Sequence, residues 1–214
     1  MKKILGIMLL GLLWNNLVLA DQKPGGFFKD QPDLEEYNVH NIYLLSKDGK
    51  DQEYDVNGYI AKQVEKINNT FFKYTKKNKK SNGEGQKFKI DYTKDGKLDL
   101  TFLRLDISEK QLSDLKWDGQ RKIYKYIEEK RFNNPKKTYI VWTNFNATPS
   151  NSSSHGTPNS IIYTPFMKGK NWADIIMLKT FIQAQGAAYT CGKGAHKKSA
   201  MHTKGSDILK KNDS

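Results

Sequence analysis

The sequence predicts a mixed α/β fold of the α+β class, in which helices pack on a mixed sheet. Apolar residues recur with a helical period in three segments, and short runs rich in β-branched and aromatic residues separate these segments. A chain of 214 residues with 37% hydrophobic and 12% aromatic residues is long enough to bury one such core in a single domain. Because the chain has one cysteine, an intrachain disulfide framework is excluded.

The first twenty residues have the three parts of a secretory signal peptide. Lys2 and Lys3 precede an apolar run over residues 4–14, and Ala20 ends the segment before Asp21. We therefore expect residues 1–20 to be a bacterial signal and the protein to be secreted or periplasmic; the alternative is an uncleaved N-terminal anchor. Of the 36 Lys+Arg, the signal holds two and no acids, so a formal charge of +13 becomes +11 without it. Residues 21–37 are polar and predict a flexible arm.

The next segments predict a strand, a helix and a hairpin. Residues 41–45 are an apolar run followed by a turn, which predicts a strand. From residue 57 the apolar residues recur at intervals of four, three and four, which predicts one face of a helix that ends in a basic turn over residues 76–83. Residues 87–92 alternate polar and apolar, residues 94–97 carry a turn signal, and residues 98–105 predict the returning strand.

The second half of the domain predicts two helical segments around two strands. Ser108 and Gln111 match a capping box at the start of a helix to about residue 131, and residues 117–119 are a candidate break within it. Residues 138–142 are the most strand-like segment, residues 144–160 predict an exposed loop, and residues 160–166 predict an edge strand that a proline ends. Residues 172–186 predict the last helix. We thus expect one domain over residues 38–190 and a basic polar tail over residues 191–214.

The last helix carries the most informative spacing in the chain. In the motif His-Glu-x-x-His-x-x-Gly, two imidazoles one helical turn apart bind zinc, and the glutamate between them activates the bound water. Lys179, Thr180 and Gln183 stand at the positions of those three residues, and Gly186 matches the glycine. The alternative interpretation is that Lys179 and Gln183 line a solvated helix face.

The order of the elements around this helix resembles that of the secreted bacterial zincin-like, or metallopeptidase-like, proteins. The tail adds to the resemblance through Cys191, His196, His202 and Asp207, which follow the helix at similar spacing. The resemblance implies a zincin-like scaffold whose zinc motif is degenerate. A lysine ammonium has no lone pair for a metal, threonine has no carboxylate, and a glutamine amide is a weak oxygen donor. The resemblance therefore predicts a pseudoenzyme without catalytic residues or a cofactor, acting as a binding or accessory protein.

Two other functions remain open from the sequence. A metal-dependent peptidase or hydrolase would need unrecognised ligands, for which a tail site of His196, His202 and Asp207 is the candidate and zinc the expected metal. A polyanion-binding envelope protein would use basic clusters at residues 73–80, 136–137, 168–170 and in the tail to bind envelope polymer, nucleic acid or a lipid surface. Cys191 is expected to be a free thiol or to form an intermolecular disulfide.

Overall fold

The structure is a computed structural model that describes residues 38–78, 82–146, 152–154, 159–167, 169, 173–185, 195–196 and 199–203. The predicted signal and arm, together with Gly186, Cys191 and Asp207, lie outside these residues. In the described part of the chain no helix is long and apolar enough to cross a membrane. The helices are α1 Tyr59–Lys76, α2 Glu109–Asp114, α3 Trp117–Glu129, α4 Thr164–Met167 and α5 Ala173–Ala184. The strands are β1 Asn38–Leu45, β2 Leu100–Arg104, β3 Lys137–Thr143, β4 Ser152–Ser154, β5 Asn159–Tyr163, β6 Ala195–His196 and β7 Ser199–Thr203.

Five strands form a mixed sheet in the order β2-β1-β3-β5-β4. The first four in this order are parallel to their neighbours, and β4 pairs with β5 in the antiparallel direction. β1 and β3 are apolar along most of their length because helices cover both faces of the sheet. The predicted mixed sheet with packed helices is therefore confirmed.

Two hydrophobic cores lie on opposite faces of this sheet. On one face α1 and α5 pack against β1, β3 and β5, through side chains that include Ile60, Trp142 and Phe181. On the other face α2 and α3 supply Leu112, Ile123 and Ile127 to the second core. Successive residues of a strand point to opposite faces, so Tyr43 and Leu44 divide between the two cores. The molecule is therefore three layers deep.

The helix signals between residues 108 and 131 are confirmed. The Gln111 backbone N–H donates to Ser108 Oγ at 3.2 Å, and the Ser108 N–H donates to Gln111 Oε1 at 3.0 Å, which is a capping box. The helical stretch divides at Lys116, whose φ is 51° and ψ is −121°. A residue with this backbone conformation cannot continue a helix, so α3 starts anew at Trp117.

Two strand predictions need correction. The predicted edge strand over residues 160–166 is wrong in two respects: β5 ends at Tyr163, directly before α4 begins, and β5 lies between β3 and β4. The edge strand is β4, inside the segment for which the sequence predicts a loop. The sequence did not predict β4 because its serines show no alternation of polar and apolar residues. β4 is a strand because it pairs with the buried strand β5. Residues 87–92 form single bridges, with Ile90 beside Val39 and Tyr92 beside Leu98, in place of a full hairpin.

The predicted tail also contains secondary structure. β6 and β7 form a two-stranded antiparallel sheet, with Ala195 opposite Thr203 and His196 opposite Ser199. The sequence predicts no strands in the tail, because strands as short as these are too short to show a hydrophobic period.

Candidate functional site

Helix α5 lies on the sheet face that it shares with α1. It packs against α1 and against β3, β5 and the edge strand β4. Met177, Leu178 and Phe181 are buried in the first core, and Phe181 makes an edge contact with Trp142, with ring centroids 6.3 Å apart. The helix that carries the motif-like spacing is thus held beside the antiparallel edge of the sheet.

The three motif positions on α5 differ in exposure. Thr180 is fully buried, and its Oγ1 donates to the Ile176 carbonyl at 2.9 Å. Gln183 is buried as well, while Lys179 is partly exposed. The interpretation of Lys179 and Gln183 as a solvated helix face is therefore wrong for Gln183. Lys179 and Gln183 stand four residues apart, so they are neighbours along one side of the helix.

The chemistry of these side chains does not suit zinc. A buried hydroxyl that already donates to the helix backbone is not a carboxylate base, and an ammonium group repels a cation. Gln183 offers one amide oxygen, where a tetrahedral zinc site needs three or four nitrogen, sulfur or carboxylate ligands. The residues present on α5 thus do not fit the metal that the motif would hold.

The structure places only part of the predicted tail site. His196 lies in β6 and His202 in β7, so the β6–β7 hairpin brings the backbones of these two residues onto neighbouring strands. Gly186, Cys191 and Asp207 lie outside the described residues. The tail site of His196, His202 and Asp207 stays a prediction.

A buried polar cluster that the sequence did not predict lies where β1, β2 and β3 begin. Asp91 Oδ2 lies 2.7 Å from Lys137 Nζ and 3.0 Å from His40 Nδ1, and its Oδ1 accepts from Asn38 Nδ2 at 3.0 Å. His40 Nε2 lies 2.9 Å from Thr101 Oγ1. Lys137 is 1% exposed and Asp91 is 3% exposed, so these charges are paired away from water. The cluster joins three parallel strands at their amino ends.

The electrostatics of the cluster favour an ionised carboxylate. Burial alone would raise the pKa of Asp91, but the hydrogen bonds from His40, Lys137 and Asn38 outweigh it and hold the pKa below its usual value. His40, Asp91 and Asp99 offer a nitrogen and two carboxylates whose atoms lie within 4.8 Å of one another. Lys137 already supplies a cation to Asp91, so a divalent ion would have to displace it. The cluster suits a structural ion pair better than a metal.

The sequence carried a weak signal for this cluster. Polar residues alternate with apolar ones at the start of β1, and a lysine opens the most strand-like run of the chain. The prediction that residues 136–137 belong to a basic surface cluster is wrong for Lys137, which is buried in β3. Asp91 and Lys137 are 46 positions apart in the sequence, and a local pattern does not reveal a pairing over that distance. The sequence therefore did not predict that Lys137 is buried.

Other basic residues lie at the surface as predicted. Lys73, Lys76 and Lys77 are exposed at the end of α1, beside Tyr74, which is 53% exposed. Lys76 Nζ and Lys87 Nζ both lie over the ring of Phe72, at 5.8 and 5.6 Å from its centroid. Aromatic and basic side chains therefore share one surface at this end of the helix.

Among known proteins, only solved structures of low similarity match this chain. No family model matches the chain, and no curated protein matches it. Among solved structures, catalytically inactive OgpA from Akkermansia muciniphila in complex with an O-glycopeptide (glycodrosocin) substrate matches with 11% identity and a TM-score of 0.44, over 77% of this chain and 50% of that chain. Wild-type OgpA in one crystal form matches with 10% identity and a TM-score of 0.43, over 75% of this chain and 50% of that chain. The chain thus spans about half the length of the OgpA chains, and a likeness of this size does not establish a shared activity.

Proposed function

We propose that this protein is a secreted, zincin-like protein with a dismantled metal site, and that it acts as a non-catalytic binding or accessory protein. One observation carries the proposal: α5 packs beside the antiparallel edge strand β4 with Lys179, Thr180 and Gln183 at the three motif positions. The order of the described elements agrees with the resemblance stated from the sequence. The chemistry of the three side chains then argues against catalysis.

The proposal predicts the zinc content and the peptidase activity of the purified protein. Since an ammonium, a buried hydroxyl and an amide replace two imidazoles and a carboxylate, the purified protein should carry no stoichiometric zinc and should not cleave denatured casein. Elemental analysis after dialysis measures the metal. About one zinc per chain would overturn the proposal, and it would favour a metal-dependent hydrolase that uses His196, His202 and Asp207.

Restoring the motif tests the scaffold. The triple variant Lys179→His, Thr180→Glu, Gln183→His puts two imidazoles one turn apart on a helix that is held by packing on two sides. We expect it to bind cobalt or zinc at least about tenfold more tightly than the parent, since a rigid helix loses little entropy on binding. Tetrahedral cobalt spectra that disappear on adding His196→Ala or His202→Ala would identify the third ligand.

A matched control distinguishes metal binding in a cleft from metal binding by any two histidines one turn apart on a helix surface. Ala61 and Glu65 are exposed and four residues apart on α1, so Ala61→His with Glu65→His creates the same spacing away from α5. We expect this pair to bind cobalt more weakly than the triple variant. A folded triple variant that binds no better than the α1 pair would show that α5 does not line a zincin-like cleft.

The exposed lysines support a second candidate function, binding of an anionic polymer or surface. Lys73, Lys76 and Lys77 are exposed at the same helix end as Tyr74, and Lys76 lies over the ring of Phe72. Such mixed basic and aromatic surfaces bind polyanions through charge and stacking. This function does not exclude the first, because the lysines at the end of α1 are exposed whereas Thr180 and Gln183 on α5 are buried. The salt dependence of binding tests it, as described in the Discussion.

A further inference from the structure

The junction between α2 and α3 presents two large hydrophobic side chains to solvent. Leu115 is 36% exposed and Trp117 is 50% exposed. Among the exposed large hydrophobic side chains of the described residues, these two alone lie within two positions of each other. All six residues from 113 to 118 are exposed, whereas Leu112 and Ile123 on either side are fully buried in the second core. Residues 113–118, here called the α2–α3 tip, therefore protrude between two helices that are anchored in the protein.

The backbone of the α2–α3 tip is strained but hydrogen-bonded. Lys116 has a φ of 51° and a ψ of −121°, outside the regions that side chains with a Cβ favour. The Lys116 N–H donates to the Ser113 carbonyl at 3.0 Å, and the Asp118 N–H donates to the Leu115 carbonyl at 3.0 Å, so the junction is not a frayed helix end. Strained residues persist where the surrounding structure holds them, and they concentrate at binding sites. The strain here accompanies the exposure of Leu115 and Trp117 on either side of Lys116.

An excess of positive charge accompanies the tip. Residues 110–125 hold five basic residues and two acidic ones. The acidic residues pair within their own helices: Asp114 lies 2.6 Å from Lys110 Nζ, and Asp118 pairs with Arg121. The other basic residues of this range, all of them exposed, are Lys116, Lys122 and Lys125. The tip thus combines an apolar end with exposed ammonium groups.

We propose that the α2–α3 tip binds the surface of a membrane that contains anionic phospholipid, with Leu115 and Trp117 inserted at the level of the headgroups. A tryptophan ring favours this level because it is apolar and carries one N–H donor, and neighbouring lysines are attracted by the lipid phosphates. The tip lies on the opposite face of the sheet from α1 and its lysines. This binding also does not depend on whether α5 lines a zincin-like cleft.

The composition of the tip favours a lipid surface over a protein partner. The cores of protein interfaces are depleted of lysine, and a partner that covered both hydrophobic side chains would have to bury the ammonium group of Lys116 between them. At a membrane surface this ammonium group stays among phosphates and water while its two neighbours enter the apolar layer. Because the flanking helices already hold the tip, little conformational entropy is lost on binding.

Fluorescence quenching by brominated lipid chains tests the insertion. The full chain has four tryptophans, and subtracting the emission of the Trp117→Phe variant isolates the signal of Trp117. On vesicles of phosphatidylcholine and phosphatidylglycerol, we expect this signal to be at least about twofold lower with brominated chains than with unbrominated ones. An unquenched Trp117 on protein that sediments with the vesicles would overturn the proposal, since another surface would then contact the lipid. Failure to bind these vesicles at all would overturn it too, and would favour a protein partner for the tip.

Charge reversal tests the role of the lysines. Lys122→Glu with Lys125→Glu should raise the lipid concentration for half-maximal quenching of Trp117 at least about tenfold, since each lysine near an anionic surface contributes to binding. Lys73→Glu with Lys77→Glu is the matched control, because it makes the same change of charge at the end of α1, and should raise this concentration less. Vesicles of phosphatidylcholine alone should also quench Trp117 less. Equal effects of the two double variants, or equal quenching by the two kinds of vesicle, would overturn the proposal.

Discussion

Lys137 is 1% exposed, and its Nζ lies 2.7 Å from Asp91 Oδ2. Removing one partner of a buried ion pair leaves the other charge without compensation, at a cost of about 3–5 kcal/mol. We therefore expect Lys137→Met to lower the free energy of unfolding by about that amount in urea. Lys136→Met is the matched control: it removes an exposed charge one residue away and should change stability by less than about 0.5 kcal/mol. Equal effects of the two variants would contradict the buried pairing.

The depressed pKa of Asp91 predicts a pH dependence with a defined sign. A carboxyl whose folded pKa lies below its unfolded value stabilises the fold above the unfolded pKa of about 4, and the contribution disappears as the pH falls through the folded pKa. The free energy of unfolding of the parent should therefore fall below pH 4 more steeply than that of Asp91→Asn. Urea titrations at a series of pH values measure the slopes. Parallel slopes would show that Asp91 has the same pKa in both states.

At the scale of the element, the junction of α2 and α3 depends on one residue. Lys116 has a φ of 51° and a ψ of −121°, a conformation that side chains with a Cβ rarely adopt. Lys116→Gly should relieve this strain and raise the free energy of unfolding by about 1 kcal/mol, seen as a higher midpoint in urea. Lys110→Gly within α2 is the control and should lower it by about the same amount. A loss of stability in Lys116→Gly would argue that the positive φ is not strained.

The position of α5 determines which of its motif residues are buried. α5 is buried on two sides, by α1 and by the sheet, so Thr180 and Gln183 lie inside although both are polar. Helical spacing identified the helix and the neighbours along it, because residues four apart lie on one side of any helix. The burial of Thr180 and Gln183, in contrast, depends on the packing of α5 against the sheet. The zinc-binding prediction for the triple variant therefore tests the position of the helix as much as its residues.

For the whole molecule, the dominant property is the formal charge of +13. If the exposed lysines bind a polyanion, affinity for heparin should fall at least about tenfold between 50 and 200 mM salt, since binding releases counterions. Lys73→Glu with Lys77→Glu should weaken binding further, whereas Lys62→Glu with Lys94→Glu, the same change of charge elsewhere, should do so less. No binding at low ionic strength would leave the basic surface as a contribution to solubility only.

The sequence alone determined the elements whose signals are local. The helical period of α1, the Ser108–Gln111 capping box and the β-branched run of β3 each depend on residues within a few positions of one another, and the structure confirms them. The mixed sheet with packed helices followed as well, because helices with an apolar face need another layer to cover it. The motif positions on α5 were likewise identified from spacing.

Only the tertiary structure decided which strand lies at the edge, which lysine is buried and which polar residues meet. β4 is a strand because it pairs with β5, and its serines carry no periodicity. Lys137 is buried because Asp91, which is distant in sequence, supplies the opposite charge, and β1 supplies His40 to the same cluster. Such contacts join residues about 50 positions apart, and their energy depends on the distance and burial that folding creates, which no local pattern of residue types encodes.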